Sequence, residues 1–178
     1  MTIIKNQRIY IVGMPGCGKS TWGKKLANAL QYSFVDLDEM IELSEQLNIE
    51  QIFAEKGEEF FRNLEHQYLQ KTTNISNVII SCGGGTPCYN NNMNLINENG
   101  ISIFINAKNG ILVDRILNAK KQRPLFLDLD KAQIEKKVDE LLLHRIPFYE
   151  QANFTFFIPQ DTMQSFVNKA VQSISEVK

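Results

Sequence analysis

The segment Gly13–Ser20, with the sequence G-M-P-G-C-G-K-S, constrains the fold more than any other stretch of the chain. It follows the apolar run Ile9–Val12, which predicts a short buried strand, and it leads into Trp22–Leu30, whose apolar spacing predicts a helix. In this context the pattern G-x-x-x-x-G-K-[ST] is typical of a phosphate-binding loop, because backbone N–H groups and a helix N-terminus attract anions. The Lys19 ammonium would reach the terminal phosphates, and the Ser20 hydroxyl would ligate Mg²⁺. We therefore predict a nucleotide-phosphate site, rather than a flexible glycine turn with a surface lysine.

The composition argues against several classes of protein. With 178 residues, 43% of them hydrophobic and 22% charged, the chain predicts one globular domain over residues 1–178. A formal net charge of −1 gives no basic field for nucleic acid or an anionic membrane, and the apolar runs are too short for a signal peptide or a membrane span. The cysteines Cys17, Cys82 and Cys88 are odd in number and lack zinc-like pairing, which predicts reduced thiols and a cytoplasmic protein.

Segments typical of strands and of helices alternate along the chain. The predicted strands are Ile9–Val12, Ser33–Val35, Val78–Cys82, Ile101–Ile105 and Phe154–Ile158. The predicted helices lie at residues 22–30, 39–46, 58–71, 90–100, 110–118, 131–144 and 162–176. Because no connection resembles a tight hairpin, the alternation predicts an α/β fold, a three-layer α/β/α sandwich around a five-stranded parallel sheet. The polar segment 118–130 interrupts this pattern and is expected to be a mobile lid.

Polar groups follow two of the predicted strands, at the edge where ligands bind to such sheets. Asp36 and Asp38 come directly after the second strand. One carboxylate would hold the hydration shell of Mg²⁺ while the other accepts a proton from an acceptor hydroxyl, or else Asp38 caps the following helix. The triple glycine Gly83–Gly85 follows the third strand. It would bring a ligand close to the backbone, or form only a tight turn into the next helix.

Three arginines complete the set of candidate site residues. Arg62 lies three residues before Glu65 on a predicted helix, so the carboxylate would hold the guanidinium in one orientation, although this spacing is also typical of an exposed surface pair. Arg123 lies in the polar 118–130 segment. Arg145 is expected to end a helix just before Ile146-Pro147, where a cation also favours the helix dipole.

Taken in order, these motifs give the chain a resemblance to the shikimate kinase family, whose members are ATP-dependent kinases with the nucleoside monophosphate kinase fold of the P-loop NTPases. The resemblance covers essentially the whole chain. It rests on G-x-x-G-x-G-K-S at Gly13–Ser20, D-x-D at Asp36 and Asp38, G-E-x-x-F-R-x-x-E at Gly57–Glu65, G-G-G at Gly83–Gly85, R-P-L at Arg123–Leu125 and R-x-x-x-Y at Arg145–Tyr149. It implies phosphorylation of the 3-hydroxyl of shikimate, giving shikimate 3-phosphate and ADP.

The same resemblance implies a role for each part of the site. ATP would bind to Gly16, Cys17, Gly18, Lys19, Ser20, Thr21, Arg115, Arg123 and Gln160, with Arg115 stacked on adenine. Shikimate would bind to the region of about 36–65 and to residues further along the chain. Its binding residues would be Asp38, Arg62, Gly84, Gly85 and Arg145. An apolar wall of Ile49, Phe53 and Phe61 would lie beside its ring. Lys19, Asp38 and Arg123 would be catalytic, and Ser20 with Asp36 would hold the Mg²⁺ cofactor. The partners would be ATP and shikimate alone, bound by a monomer, with no nucleic acid and no membrane.

Two other functions remain open at this point. A related kinase acting on a nucleoside monophosphate or a sugar acid such as gluconate would also need arginines for a phosphate or carboxylate. A nucleotide-dependent switch of the GTPase kind would read guanine with an N-K-x-D element. The nearest stretch, Asn106–Asn109, lacks that pattern, which disfavours the switch.

Overall fold

The computed structural model describes residues 7–119, 124–159 and 161–176. Five strands within these ranges form one parallel sheet in the order β2-β3-β1-β4-β5. The strands are β1 Arg8–Val12, β2 Ser33–Asp36, β3 Val78–Ser81, β4 Ile101–Ala107 and β5 Phe154–Ile158. The predicted α/β fold with a five-stranded parallel sheet and helices on both faces is therefore confirmed. Arg123 and Gln160, both expected to bind ATP, lie outside the described residues.

Helices occupy the connections that the sequence predicts. They are α1 Lys19–Leu30, α2 Leu37–Glu45, α3 Ile49–Thr72, α4 Asn92–Asn99, α5 Asn109–Leu117, α6 Lys131–Tyr149 and α7 Met163–Glu176. Short 3₁₀ turns form at Thr86–Cys88 and Pro124–Phe126. Among the described helices, none combines the length and the apolar character that crossing a bilayer requires.

The register of the sheet brings the predicted motifs together. Ile11 in β1 and Asp36 in β2 both pair with Ser81, because β3 lies between the other two strands. The glycine-rich loop, the two aspartates and the triple glycine therefore leave the sheet side by side at its carboxyl edge. The central strands β1 and β3 are fully buried apart from Arg8, which anchors this edge in the core.

The connection from β2 to α2 corrects the expected capping role of Asp38. Asp36 is the N-cap residue of α2, with an extended backbone, and its Oδ1 accepts a hydrogen bond from the Asp38 N–H at 3.2 Å. The strand runs directly into the helix, which begins at Leu37 and not at residue 39 as predicted. The N-cap residue therefore lies two positions before Asp38, the cap that the sequence allowed. Asp38 lies inside the first turn of α2, so its carboxylate is not the cap.

Two helices extend further than predicted. α3 begins at Ile49 and continues through Gly57, where a left-handed φ of 83° makes a kink in one long helix. α6 passes Arg145 and Pro147 and ends at Tyr149, so the expectation that Arg145 ends a helix is wrong. A proline removes one hydrogen bond of the helix, and Leu143, whose carbonyl would otherwise accept that bond, is an exposed residue. The extra turn carries Tyr149 into the core.

Candidate active site

The glycine-rich loop between β1 and α1 surrounds the end of the Lys19 side chain. Gly18 is the N-cap residue of α1 with a φ of 99°, a conformation that a residue with a Cβ rarely adopts. Lys19 is buried, and its Nζ donates to the carbonyls of Gly13 at 3.0 Å and Met14 at 3.1 Å. The loop thus places an ammonium group beside the N-terminus of a helix, two features that both attract phosphate.

Ser20 and Asp36 form the pair that was expected to hold a metal ion. Ser20 Oγ donates to Asp36 Oδ2 at 2.6 Å and lies 3.4 Å from Ser81 Oγ. A hydroxyl and a carboxylate side by side are suitable ligands for Mg²⁺. The residues that the structure describes contain no group of three His, Cys, Asp or Glu side chains that could hold a metal ion.

Arg115 lies beside the same loop. Its Nη1 donates to the carbonyls of Gly16 at 3.2 Å and Cys17 at 3.0 Å, and the side chain is largely exposed. It borders a cleft of about 530 Å³. The cleft is lined by Gly16, Gly18, Lys19, Ser20, Thr21, Trp22, Asp36, Asp38, Ser81, Cys82, Arg115 and Met163. Every described residue that was assigned to ATP, except the buried Cys17, lines this nucleotide cleft.

A second cleft of about 380 Å³, which we call the acceptor cleft, opens between α2, α3 and α6. The residues lining it include Pro15, Ser20, Asp36, Asp38, Ile49, Phe53, Phe61, Arg62, Glu65, Gly83, Gly84, Gly85, Leu125, Phe126 and Arg145. All the residues that were expected to bind shikimate are in that set. The nucleotide and acceptor clefts share Ser20, Asp36 and Asp38, so the two spaces meet at these three side chains.

Arg62 is held by two carboxylates on its own helix. Its Nη1 donates to Glu65 Oε2 at 2.6 Å, and its Nε and Nη2 donate to Glu58 Oε1 at 3.2 and 2.8 Å. Arg62 is only 6% exposed and Glu65 only 1%, so this is a buried pair and not the surface pair that its spacing also allowed. Burial alone would lower the pKa of Arg62, but the charge and hydrogen bonds of Glu65 and Glu58 outweigh it and raise the pKa, which keeps the guanidinium charged.

The triple glycine packs directly against the charged side chains. A Cβ on Gly83 would lie 2.6 Å from Glu65 Oε1, and a Cβ on Gly85 would lie 2.5 Å from Arg62 Nη1. A Cβ on Gly84 would lie 3.1 Å from Arg145 Nη1. The glycines are needed for space, because a side chain at any of these positions would displace a group of the acceptor cleft.

Arg145 supplies a second buried guanidinium to the acceptor cleft. It is 5% exposed, and its Nη1 has no hydrogen-bond partner among the residues that the structure describes. Tyr149, one turn later on α6, donates its hydroxyl to the Gly84 carbonyl at 2.5 Å. Burial raises the pKa of Tyr149 well above its ordinary value of 10.0, so the hydroxyl remains a donor. A buried, unpaired N–H beside the triple glycine is suited to an anionic ligand.

Some residues that build this site were given no role from the sequence. Tyr149 fixes the triple glycine, and Thr86 donates to Glu65 Oε1 at 2.5 Å. Glu58 holds Arg62 from the preceding helical turn. The i,i+4 spacing of Glu58 before Arg62 could have indicated that pair. The contact of Thr86 joins distant parts of the chain and has no local signal in the sequence.

Comparisons with known proteins point to one family. The family model described as "SKI: Shikimate kinase" matches residues 15–175. A shikimate kinase of Azobacteroides pseudotrichonymphae is 39% identical over 94% of this chain and 99% of its own, and that of Bacteroides thetaiotaomicron is 35% identical over 96% and 97%.

Solved structures give the same relationship. A shikimate kinase from Bacteroides thetaiotaomicron has a TM-score of 0.89 at 34% identity, covering 95% of this chain and 98% of its own. A shikimate kinase from Acinetobacter baumannii in complex with shikimate has a TM-score of 0.87 at 31% identity, covering 97% and 96%. A gluconokinase from Sinorhizobium meliloti, at 15% identity and a TM-score of 0.63, covering 97% and 93%, shares only the fold. The chain belongs to the shikimate kinase family.

Proposed function

We propose that this protein transfers the γ-phosphoryl group of ATP to the 3-hydroxyl of shikimate, giving shikimate 3-phosphate and ADP. The observation that carries the proposal is the meeting of the two clefts at Ser20, Asp36 and Asp38. A kinase needs its donor phosphate and its acceptor hydroxyl at one point, with a carboxylate beside them. Membership of the shikimate kinase family supports the choice of acceptor.

ATP would lie along the nucleotide cleft with its phosphates over the N-terminus of α1. Main-chain N–H groups of the loop would bind the phosphates, and Lys19 would exchange its contacts with loop carbonyls for the transferring group. Arg115, held against the loop by two carbonyls, would lie beside the base. Roles for Arg123 and Gln160 in binding ATP remain predictions from the resemblance.

Shikimate would enter the acceptor cleft with its carboxylate toward Arg62 and Arg145. Both guanidinium groups are buried and charged, and Arg145 Nη1 lacks a hydrogen-bond partner among the described residues. An anionic group would satisfy that donor, whereas a neutral group would leave the charge uncompensated. Phe53 and Phe61, whose ring centroids lie 4.8 Å apart, offer an apolar surface for the carbon ring of the substrate.

Asp38 would orient the 3-hydroxyl and accept its proton as the oxygen attacks. Its carboxylate is half-buried and lies beside the position that a Cβ on Gly83 would occupy, 2.8 Å from that point. Asp38 lines both clefts and lies next to Gly83, so its carboxylate would be the one that meets the acceptor hydroxyl.

Ser20 and Asp36 would hold Mg²⁺, with Asp36 acting through water. When bound, the ion would neutralise negative charge on the phosphates as the γ-phosphoryl group moves. The Ser20–Asp36 hydrogen bond keeps the two oxygens 2.6 Å apart and so preserves the pair for that role.

We extend the proposal to the lid and to the setting of the enzyme. Leu125 and Phe126 line the acceptor cleft, which supports a role for the 118–130 segment in closing over the substrates. The free state of Cys17, Cys82 and Cys88 fits a reducing cytoplasm. Action as a monomer on the two small molecules remains part of the same proposal.

The test is ADP release measured side by side with shikimate, gluconate and a nucleoside monophosphate. Shikimate should support turnover at least about a hundredfold faster than the others, since of the three it alone carries both a carboxylate and hydroxyl groups on one carbon ring. Protein carrying Lys19→Ala, purified in the same way, controls for contaminating kinases. Faster turnover with gluconate or with the monophosphate would overturn the proposed acceptor.

A further inference from the structure

Tyr89 contacts Arg62, although Tyr89 itself does not line the acceptor cleft. The Arg62 guanidinium carbon is 4.4 Å from the centroid of the Tyr89 ring, closer than to the rings of Phe61 at 5.4 Å or Phe53 at 5.9 Å. Tyr89 remains 41% exposed. An exposed aromatic ring at this distance from a buried cation is a cation–π contact, which the mechanism above does not use.

Hydrogen bonds account for three of the five N–H groups on the Arg62 guanidinium. One N–H of Nη1 goes to Glu65, while Nε and one N–H of Nη2 go to Glu58. Among the described residues this leaves one N–H on each terminal nitrogen. One N–H on each terminal nitrogen is what a guanidinium needs to bind a carboxylate with two parallel hydrogen bonds, provided that its plane is held in a suitable orientation.

Three residues, from the last glycine of the triple glycine onward, pack against Arg62. Gly85 packs against Arg62 Nη1, and the side chain of Asn90 donates to the Arg62 carbonyl at 3.2 Å. Between them, the Tyr89 ring covers the guanidinium, with its hydroxyl 3.5 Å from Glu58 Oε1. Carboxylates hold a guanidinium at its edge, whereas a ring packed over the guanidinium restrains its tilt.

We propose that Tyr89 is a positioning residue for the acceptor carboxylate. Its ring holds the plane of Arg62 so that the two remaining N–H groups face the cleft. The proposal rests on the proposed function, because the anion that Arg62 would grip is the carboxylate of shikimate. Tyr89 itself touches neither substrate and acts through Arg62 alone.

The experiment compares Tyr89→Leu, Tyr89→Phe and the matched control Phe60→Leu. Phe60 is 37% exposed on the same helix as Arg62, and its ring lies 4.7 Å from Lys56 Nζ, so the control also removes an exposed cation–aromatic pair. Steady-state kinetics give KM for shikimate, KM for ATP and kcat. Tyr89→Leu should raise the shikimate KM about fivefold, with the ATP KM and kcat within about twofold of wild type. Tyr89→Phe keeps the aromatic ring, so its KM for shikimate should equal that of the wild-type protein.

A double variant tests whether the effect passes through Arg62. In an Arg62→Lys background, which lacks a planar guanidinium, Tyr89→Leu should change kcat/KM for shikimate by less than about twofold. A further fivefold loss in that background would overturn the proposal. So would an unchanged shikimate KM in Tyr89→Leu, an equal rise in Tyr89→Phe, or an equal rise in Phe60→Leu. Absence of shikimate turnover in the wild-type protein would instead overturn the proposed function, and the role of Tyr89 with it.

Discussion

The nucleotide and acceptor clefts meet at the same edge of the sheet but are built in different ways. The nucleotide cleft depends on main-chain groups of one continuous loop, with Lys19 and Ser20 at its end. The acceptor cleft depends on side chains from separate elements, chiefly Asp38, Arg62 and Arg145 on α2, α3 and α6. A phosphate site made of backbone is set by local sequence, whereas a carboxylate site made of buried arginines exists only once the helices have packed.

This difference predicts separate responses to mutation. Changes in the acceptor cleft should weaken shikimate binding and leave ATP in place, because the backbone of the loop does not depend on those side chains. Changes at Lys19 should act on the transferring phosphate and therefore on turnover. The following predictions would break or sharpen that separation, from the largest effect to the smallest.

Lys19→Ala should reduce kcat by about a thousandfold or more, since it removes the cation nearest the transferring phosphate. The protein should remain folded, because the two loop carbonyls that Lys19 contacts can bind water instead. Kinetics and a thermal melt measure the two quantities. Lys25→Ala, an exposed position on the same helix, should behave as wild type. Near-normal turnover in folded Lys19→Ala would remove the loop from the mechanism.

Asp38→Asn should reduce kcat with shikimate by about a hundredfold, because it keeps the shape of the side chain and removes its charge and basicity. Its thermal midpoint should stay close to wild type, since Asp36 and not Asp38 caps α2. A normal kcat would contradict a role for Asp38 at the reacting hydroxyl. A large loss of thermal stability would instead indicate a structural role.

Gly85→Ala should raise the shikimate KM about tenfold and leave the ATP KM unchanged. The new methyl group would begin 2.5 Å from Arg62 Nη1 and displace the guanidinium. Gly110→Ala is the matched control, because a Cβ there would meet no atom within 4 Å, and its position in α5 favours alanine. An equal change in the KM for ATP would show that the two clefts are not separable.

Cys88→Ala should have the smallest effect, visible only at alkaline pH. Burial raises the pKa of Cys88 from its ordinary value of 9.0 to about 11, against the opposing charges of Arg145 and Arg62. A raised pKa in the folded state means that the thiol contributes stability below pH 9 and loses it between pH 9 and about 11. Urea denaturation at pH 8 and pH 10.5 should therefore show a steeper loss for wild type than for Cys88→Ala. Equal losses in both proteins would contradict this.

The sequence predicted most of the fold and, apart from Cys17, which described residues line the two clefts, because those features follow from periodicity and from short motifs. The phosphate loop is one contiguous pattern, and the strand-to-loop positions of Asp36, Asp38 and Gly83–Gly85 place them at one edge of the sheet. Exact element ends were harder to predict. Periodicity could not show that β2 continues into α2 without a connecting residue. The sequence therefore allowed Asp38 as the N-cap of α2, whereas the cap is Asp36.

Contacts between distant segments could not be predicted from local patterns. Pro147 indicated the end of a helix, but the burial of Tyr149 in the core stabilises one more turn of α6. The contact of Tyr89 with Arg62 depends on how the chain leaves the triple glycine, which no spacing rule describes. These are tertiary effects, and both involve residues that pack around the acceptor cleft.

The most direct test of the central claim is calorimetric titration of Arg62→Lys and Arg145→Lys with shikimate and, separately, with a non-hydrolysable ATP analogue. A lysine keeps the charge but not the two-pronged geometry, so the affinity for shikimate should fall by more than about tenfold. The affinity for the ATP analogue should stay within about twofold of wild type, since its site is formed by the loop. An equal loss of affinity for both ligands would contradict the account, because it would make the arginines supports of the whole fold rather than the grip on an acceptor carboxylate.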